Sequence, residues 1–264
     1  MHATSRDALV AVREQLAPES AAEVGTELFS VVTLLDSERG LRRTLADGST
    51  DPDSRSGLVG RLFGGKVSEA TVAVLTAAVR QQWSSARDLV DSLELLGREA
   101  LLRSAEREGQ LDAVEDELFR LGRIVAASPS LERVLADRTA VAGQRTSLVH
   151  GLLDGKVTPV TSALVTQVVE RLREEPADAF DALSTLAARQ REQSVAHVRS
   201  AVALSEAQLE RLTRTLSTTY GRTVTVHVDV DPALTGGLVV QVGDEVIDGS
   251  VAGRLDALRR RLAG

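Results

Sequence analysis

The chain repeats itself at a spacing of 90 residues, and no other feature restricts its fold as strongly. The triplet ELF at Glu27–Phe29 recurs at Glu117–Phe119, and LAD at Leu45–Asp47 recurs at Leu135–Asp137. LVGRLFGGKVS, from Leu58, aligns without a gap with LVHGLLDGKVT, from Leu148, and Leu93 and Leu96 map onto Leu183 and Leu186. A constant offset across separate matches points to duplication of one structural unit, and two copies are too few for a solenoid.

Each copy reads as helices. Leu111, Val114, Leu118, Leu121 and Val125 recur at helical spacing. Thr158 stands where an N-cap belongs and Pro159 where the first helical residue belongs, and Val160, Leu164, Val168 and Leu172 then share one face. Between the copies, SSARDLVDSLELLGREALLRSAEREG has no strong breaker except Gly97, which predicts one long or kinked helix shared by both. The period changes after about residue 195. Val224, Val226, Val228 and Val230 alternate with Thr223, Thr225, His227 and Asp229, the pattern of a half-buried strand, and VAHVRSAVAL reads as another. Between these strands Ser205 and Gln208 form a capping box, followed by a stripe of Leu209, Leu212 and Leu216. Leu238, Val240 and Val242, a turn at Gly243-Asp244-Glu245, and Val246-Ile247 form a hairpin. Asp248 or Ser250 would cap a last helix with Val251, Leu255, Leu258 and Leu262 on one face. The expected fold is mainly α: two tandem repeated helical bundles, residues 1–96 and 97–195, followed by a small α/β domain, 196–264, ordered β-α-β-β-β-α.

The composition narrows the chemistry. The net charge of -7 and the 2% aromatic content argue against nucleic acid as a partner, which calls for basic patches and stacking platforms. With no cysteine there is no disulfide, thiolate nucleophile or cysteine-zinc site, and the four histidines do not fall at metal-ligand spacing. No run is long and apolar enough to span a membrane, and the first 20 residues lack a signal-peptide core. Gly60, Gly65 and Lys66 in GRLFGGKVS fit the start of a P-loop, but the residue after the lysine is Val67 where a hydroxyl is required, and the preceding stretch reads as helix. A helix ending in a glycine cap explains those residues more simply. Neither a catalytic site, a metal, a cofactor nor a small-molecule ligand is expected.

The stretch VDVDPALTGGLVVQVGDEVIDGSVAGRLDALRRRL, Val228 to Leu262, resembles the C-terminal signature of the delta subunit of the rotary proton-translocating ATP synthase, whose mitochondrial counterpart is the oligomycin sensitivity-conferring protein. The shared features are Asp231-Pro232, Gly236-Gly237, the Gly243-Asp244 turn, Asp248-Gly249-Ser250, and Leu255 and Leu258 of the amphipathic end. The resemblance extends upstream through Ala100–Leu111, Ser128–Asp137, Leu152–Pro159 and Ala201–Leu212, so that residues from about 97 onward cover an ordinary family member and residues 1–96 are an additional helical copy. Two places depart from the family: Gly97-Arg98 stands where Tyr-Ala is common, and Ala163-Leu164-Val165 where Asn-Phe-Leu is common. The resemblance implies a non-catalytic peripheral-stalk subunit of the F1 sector, at the cytoplasmic face of the bacterial membrane. Its helical domain would bind the N-terminal helix of an alpha subunit and its C-terminal domain the b-type stalk, coupling proton flow to ATP synthesis. It points to Leu101, Leu102, Ala105, Leu164 and Val168 for the alpha-subunit groove, although an apolar stripe suits the bundle's own core equally well. The readings outside the family are an unrelated helical adaptor, or a nucleotide-binding enzyme using GRLFGGKVS.

Overall fold

The 90-residue offset governs the order of elements in the computed structural model, which describes residues 2–16, 22–137, 142–193, 195–220, 224–232, 234–243 and 245–250. Helices α1 (Ala3–Arg13), α2 (Ala22–Ser37), α3 (Arg39–Ala46), α4 (Pro52–Phe63) and α5 (Glu69–Arg80) form the first copy. α6 (Ala86–Arg107) follows, then α7 (Leu111–Ala126), α8 (Pro129–Ala136), α9 (Ala142–Leu153), α10 (Pro159–Glu170) and α11 (Pro176–Gln193). Residue for residue, α7 to α10 repeat α2 to α5 to within one position. The 22-residue α6 runs unbroken, so it closes the first copy and opens the second.

The same local chemistry ends the same helices in both copies. Ser68 caps α5 by accepting from the Thr71 amide, and Thr158 caps α10 by accepting from Thr161. Each cap is held by a carboxylate from the copy's second helix. The Ser68 hydroxyl donates to Glu27 at 2.7 Å, and the Thr158 hydroxyl donates to Glu117 at 2.9 Å. After α4 and α9 the chain reverses through Gly65 (φ 72°) and Gly155 (φ 66°), a left-handed conformation that costs glycine nothing.

Both helical cores lie in one compact unit, Met1–Ala187. The first is built on Val12, Leu28, Leu35, Val59, Leu89 and Leu96, the second on Leu118, Val125, Leu164, Phe180 and Leu183. The second unit, Ala188–Gly264, carries the sheet. β1 (Val195–Ser200) runs parallel to β2 (Thr225–Val230) through the crossover α12 (Glu206–Tyr220), and antiparallel to β3 (Leu238–Val242), which pairs with β4 (Glu245–Asp248). The strand order is β2-β1-β3-β4. The Ser205–Gln208 capping box forms, and Leu216 packs with Ala196, Val198, Val224, Val240 and Val242. The expected β-α-β-β-β order is present. The last helix, with Leu255 and Leu258, lies outside the described residues, as does Asp244.

Candidate interaction surfaces

The glycine- and acid-rich C-terminal segment is built for backbone geometry. Gly237 has φ 84°, and a Cβ there would stand 2.5 Å from the Gly249 carbonyl oxygen, so only glycine lets the two strands of chain approach. Gly236 (φ 146°) and Gly243 (φ 57°) also adopt conformations that side chains disfavour. The Asp231 amide donates to the Ser200 carbonyl at 2.8 Å, tying the segment after β2 to the end of β1, and Pro232 next to it is exposed. Asp248 accepts from the Ser250 amide at 2.9 Å, and hydrogen bonds from Ser250 hold its carboxyl below the usual range. Among the described residues, these shape a turn-rich edge and bring no reactive groups together.

GRLFGGKVS is the end of α4 rather than a strand-to-helix loop. The amides of Lys66 and Val67 both bond back to the Phe63 carbonyl, at 2.9 and 3.2 Å, and the Ser68 amide is taken by Glu27. These three amides are therefore engaged within the protein rather than turned toward a phosphate.

The five residues predicted for the alpha-subunit groove are interior. Leu101, Leu102, Ala105 and Leu164 are at most 1% exposed and Val168 is 3% exposed, all in the second helical core. The stripes read on α6 and α10 therefore face inward. The row next to them on α10, Ser162, Ala163 and Thr166, is half-buried. It faces Thr26, Phe29 and Thr33 of α2 across a groove of about 430 Å³ that His150 and Glu170 also line.

The contact between the copies was not legible in the sequence. α2 and α6 cross where Gly25 meets Gly97. A Cβ on Gly25 would lie 2.7 Å from the Gly97 carbonyl oxygen, and one on Gly97 would lie 2.7 Å from the Phe29 ring. The side chain of Phe29, from the first copy, thereby packs against the core of the second.

Beside this crossing lies a buried polar cluster. Arg98 donates to Glu94 at 2.6 Å and to the Gln167 side-chain oxygen at 3.0 Å, and the Gln167 amide donates to the same Glu94 carboxylate at 2.6 Å. Arg171 pairs with Glu94 and with Asp36 of α2, and with Asp91 at 3.2 Å. Four elements meet there: α2, α6, α10 and the segment following α10. Burial lowers the Arg98 guanidinium to about 10, partly offset by the Glu174 carboxylate. Burial would raise the Asp36 carboxyl, but the Arg171 hydrogen bond and charge, with Arg173 and Arg42, hold it low. Glu94 lies four residues before Arg98 and is ordinary helix patterning by itself. Its partner Gln167 is 73 residues away, which no local pattern announces.

Among the described residues, no helix is long and apolar enough to cross a membrane.

Residues 98–262 match the family described as ATP synthase delta (OSCP) subunit. The chain is 57% identical to the ATP synthase subunit delta of Rhodococcus opacus, with 99% of each chain covered. It is 54% identical to that of Nocardia farcinica over the whole of both chains. It is 48% identical to that of Corynebacterium efficiens, covering 100% of this chain and 99% of the other. These relatives therefore extend across the first helical copy, which the family match leaves out. A chain of the Toxoplasma gondii mitochondrial ATP synthase hexamer is 21% identical, covering 63% of this chain and 95% of its own, at a TM-score of 0.32, too low to bear on the fold.

Proposed function

The chain belongs to the ATP synthase delta (OSCP) subunit family, and on that premise we propose how it acts as a non-catalytic peripheral-stalk subunit of an F-type ATP synthase. The stator must carry torque between the catalytic head and the membrane anchor without yielding. The observation that carries this reading is the junction of the two helical copies. One unbroken helix serves both, and a buried cluster of Glu94, Arg98, Gln167 and Arg171 ties α2 and α10 to it. Buried polar groups with fixed geometry specify one arrangement of the elements they join.

The division of labour follows the three expected segments, 1–96, 97–195 and 196–264. The helical part receives the N-terminal helix of an alpha subunit in the groove between α2 and α10, on Phe29, Thr33, Ala163 and Thr166. Leu101, Leu102, Ala105, Leu164 and Val168 support its floor from inside. An amphipathic helix laid into a groove needs only such an apolar surface with polar edges. The C-terminal unit receives the b-type stalk. Its edge strand β4, exposed throughout with Val246 58% and Ile247 43% accessible, offers both side chains and backbone to a partner. The protein works at the cytoplasmic face of the bacterial membrane as a peripheral subunit.

Because the chain has no cysteine, single-cysteine variants give unambiguous cross-links in the assembled enzyme. Ala163→Cys is expected to link to the alpha-subunit N-terminus and Val246→Cys to the b-type stalk. Cross-links from position 163 only to other subunits, with the alpha N-terminus captured elsewhere on this chain, would remove the groove assignment.

A further inference from the structure

We propose that an arginine-lined cleft between the two helical copies is a docking site for a carboxylate-rich polypeptide segment of a neighbouring subunit. The cleft, of about 480 Å³, opens between α3, the start of α6, α9 and the segment following α10. Seven arginines and two carboxylates line it, a local excess of five positive charges on a chain whose net charge is -7. Some of that charge is engaged within the molecule. Arg42 pairs with Asp36 at 3.4 Å, Arg171 with Asp36, Asp91 and Glu94, and Arg173 with Asp91 at 2.5 Å. Arg39, Arg43 and Arg87 are exposed and have no ion-pair or hydrogen-bond partner among the described residues.

The repeat supplies a control for what the fold itself requires. At the 90-residue offset, Arg39, Arg42 and Arg43 correspond to Pro129, Glu132 and Arg133 on α8, and Arg87 corresponds to Ala177 on α11. The leucines on the same helix are kept: Leu41 and Leu45 match Leu131 and Leu135. The second copy folds the same helices with only Arg133 left of the basic row, so the full row is not needed for folding. Clustered like charges repel and cost stability, which leaves recognition of an anion as their use.

The form of the cleft favours a polypeptide. A phosphate site gathers backbone amides at a glycine-rich turn or helix start, whereas this lining is long guanidinium side chains from separate elements. Asp36 and Glu170 among the arginines oppose a continuous polyanion such as a nucleic-acid backbone. They suit a segment whose carboxylates are spaced by other residues. Guanidinium groups take carboxylates in a bidentate fork, which adds orientation to charge. The inference rests on the stator reading only for the source of the segment.

The full chain is titrated with a short helical Glu/Ala peptide and with a Gln/Ala peptide of equal length. Only the acidic peptide is expected to bind, more weakly as salt rises. The triple variant R39E/R43E/R87E is expected to bind it about tenfold or more weakly, because opposed charges are replaced by like ones. R133E, the change at the matching place in the second copy, is expected to leave binding as it was. Inorganic phosphate and vesicles of anionic lipid form the remaining arms. Equal binding of the two peptides, undiminished binding by a triple variant of normal helicity, or binding of phosphate or vesicles in place of the peptide would overturn the proposal. In the assembled enzyme, Arg43→Cys bearing a photo-cross-linker is expected to capture a carboxylate-rich stretch of another subunit. Peptide binding without any such capture would overturn the assignment of the segment to a neighbouring subunit while leaving the groove between α2 and α10 untouched.

Discussion

The two helical copies share an element order, a cap chemistry and a set of core positions, yet they treat the face of their second helix in opposite ways. Phe29 of α2 packs against the second core, while Phe119, its counterpart on α7, is 53% exposed. Gly25, which lets α2 approach α6, is matched by Glu115, and Gly97 by Ala187. Glu94, Arg98, Gln167 and Arg171 of the buried cluster are matched by Ser184, Ala188, Ala77 and Gln81, so the cluster has no twin. What the copies share is what one bundle needs to fold. What joins one bundle to the other is among what they do not share. Duplication thus supplied two similar cores, and a few substitutions on facing surfaces made them one unit.

The largest effect should come from the cluster. Glu94→Ala leaves Arg98 and Arg171 buried without their main anion. Breaking a buried pair from one side costs about 3–5 kcal/mol, so a loss of that size is expected in chemical denaturation of the full chain. The matching change in the second copy, Ser184→Ala, should cost far less. Equal losses at the two places would erase the distinction between folding and joining residues.

The helix crossing should come next. An alanine at position 25 would press on the Leu101 side chain at 2.6 Å and the Gly97 carbonyl at 2.7 Å, so α2 and α6 must separate. Overpacking of this kind costs about 1–3 kcal/mol, and Gly25→Ala is expected to fall in that range by thermal or urea unfolding. A stabilised variant would show that the crossing is loose.

A shared device should give a shared effect. Glu27→Ala and Glu117→Ala each release a cap on the fifth helix of their copy, and each should cost about 1–2 kcal/mol, the usual worth of an N-cap network. Acid should report on Glu27 as well. Burial raises its carboxyl, but hydrogen bonds from Ser68 and Thr71 outweigh that and hold it below 4.5. Because the folded value is depressed, the carboxylate's contribution is complete above the unfolded value of 4.5 and is lost as the pH falls through the folded one. The acid limb of a stability–pH curve should therefore be shallower in Glu27→Gln than in the parent.

The smallest effect belongs to a glycine that resembles Gly25 only by being inside a helix. A Cβ on Gly122 would come no closer than 3.7 Å to any neighbour. Gly122→Ala should be neutral or gain up to about 1 kcal/mol from helix propensity.

The sequence disclosed the features that depend on neighbours along the chain. The offset of ELF and LAD, the caps at Ser205 and Thr158, and the alternation of Val226 and Val228 are local patterns, and each reappears in the structure at its expected place. Leu101, Leu102, Ala105, Leu164 and Val168 mark the limit of that reading. Periodicity finds the apolar side of α6 or α10 but cannot tell a core from a groove, because both present the same stripe; here all five are core. Gly97 was visible only as a helix breaker, and its role as a crossing point required Gly25, 72 residues earlier. Arg98 and Gln167 lie 69 residues apart, and only the fold places one against the other. Burial of polar groups is a property of the assembled layers, which single-element patterns do not carry.

Whether the two copies form one rigid unit can be read from an inter-bundle distance. Arg61 and Gly151 occupy equivalent exposed places on α4 and α9, and the chain has no other thiol to label once both are made cysteine. Double electron–electron resonance between spin labels at Arg61→Cys and Gly151→Cys is expected to give one narrow distance distribution, and the same pair in a Glu94→Ala background a broader one. A distribution that is broad in the parent, or one that Glu94→Ala leaves unchanged, would contradict the account of α6 and its buried cluster as the rigid link between the bundles.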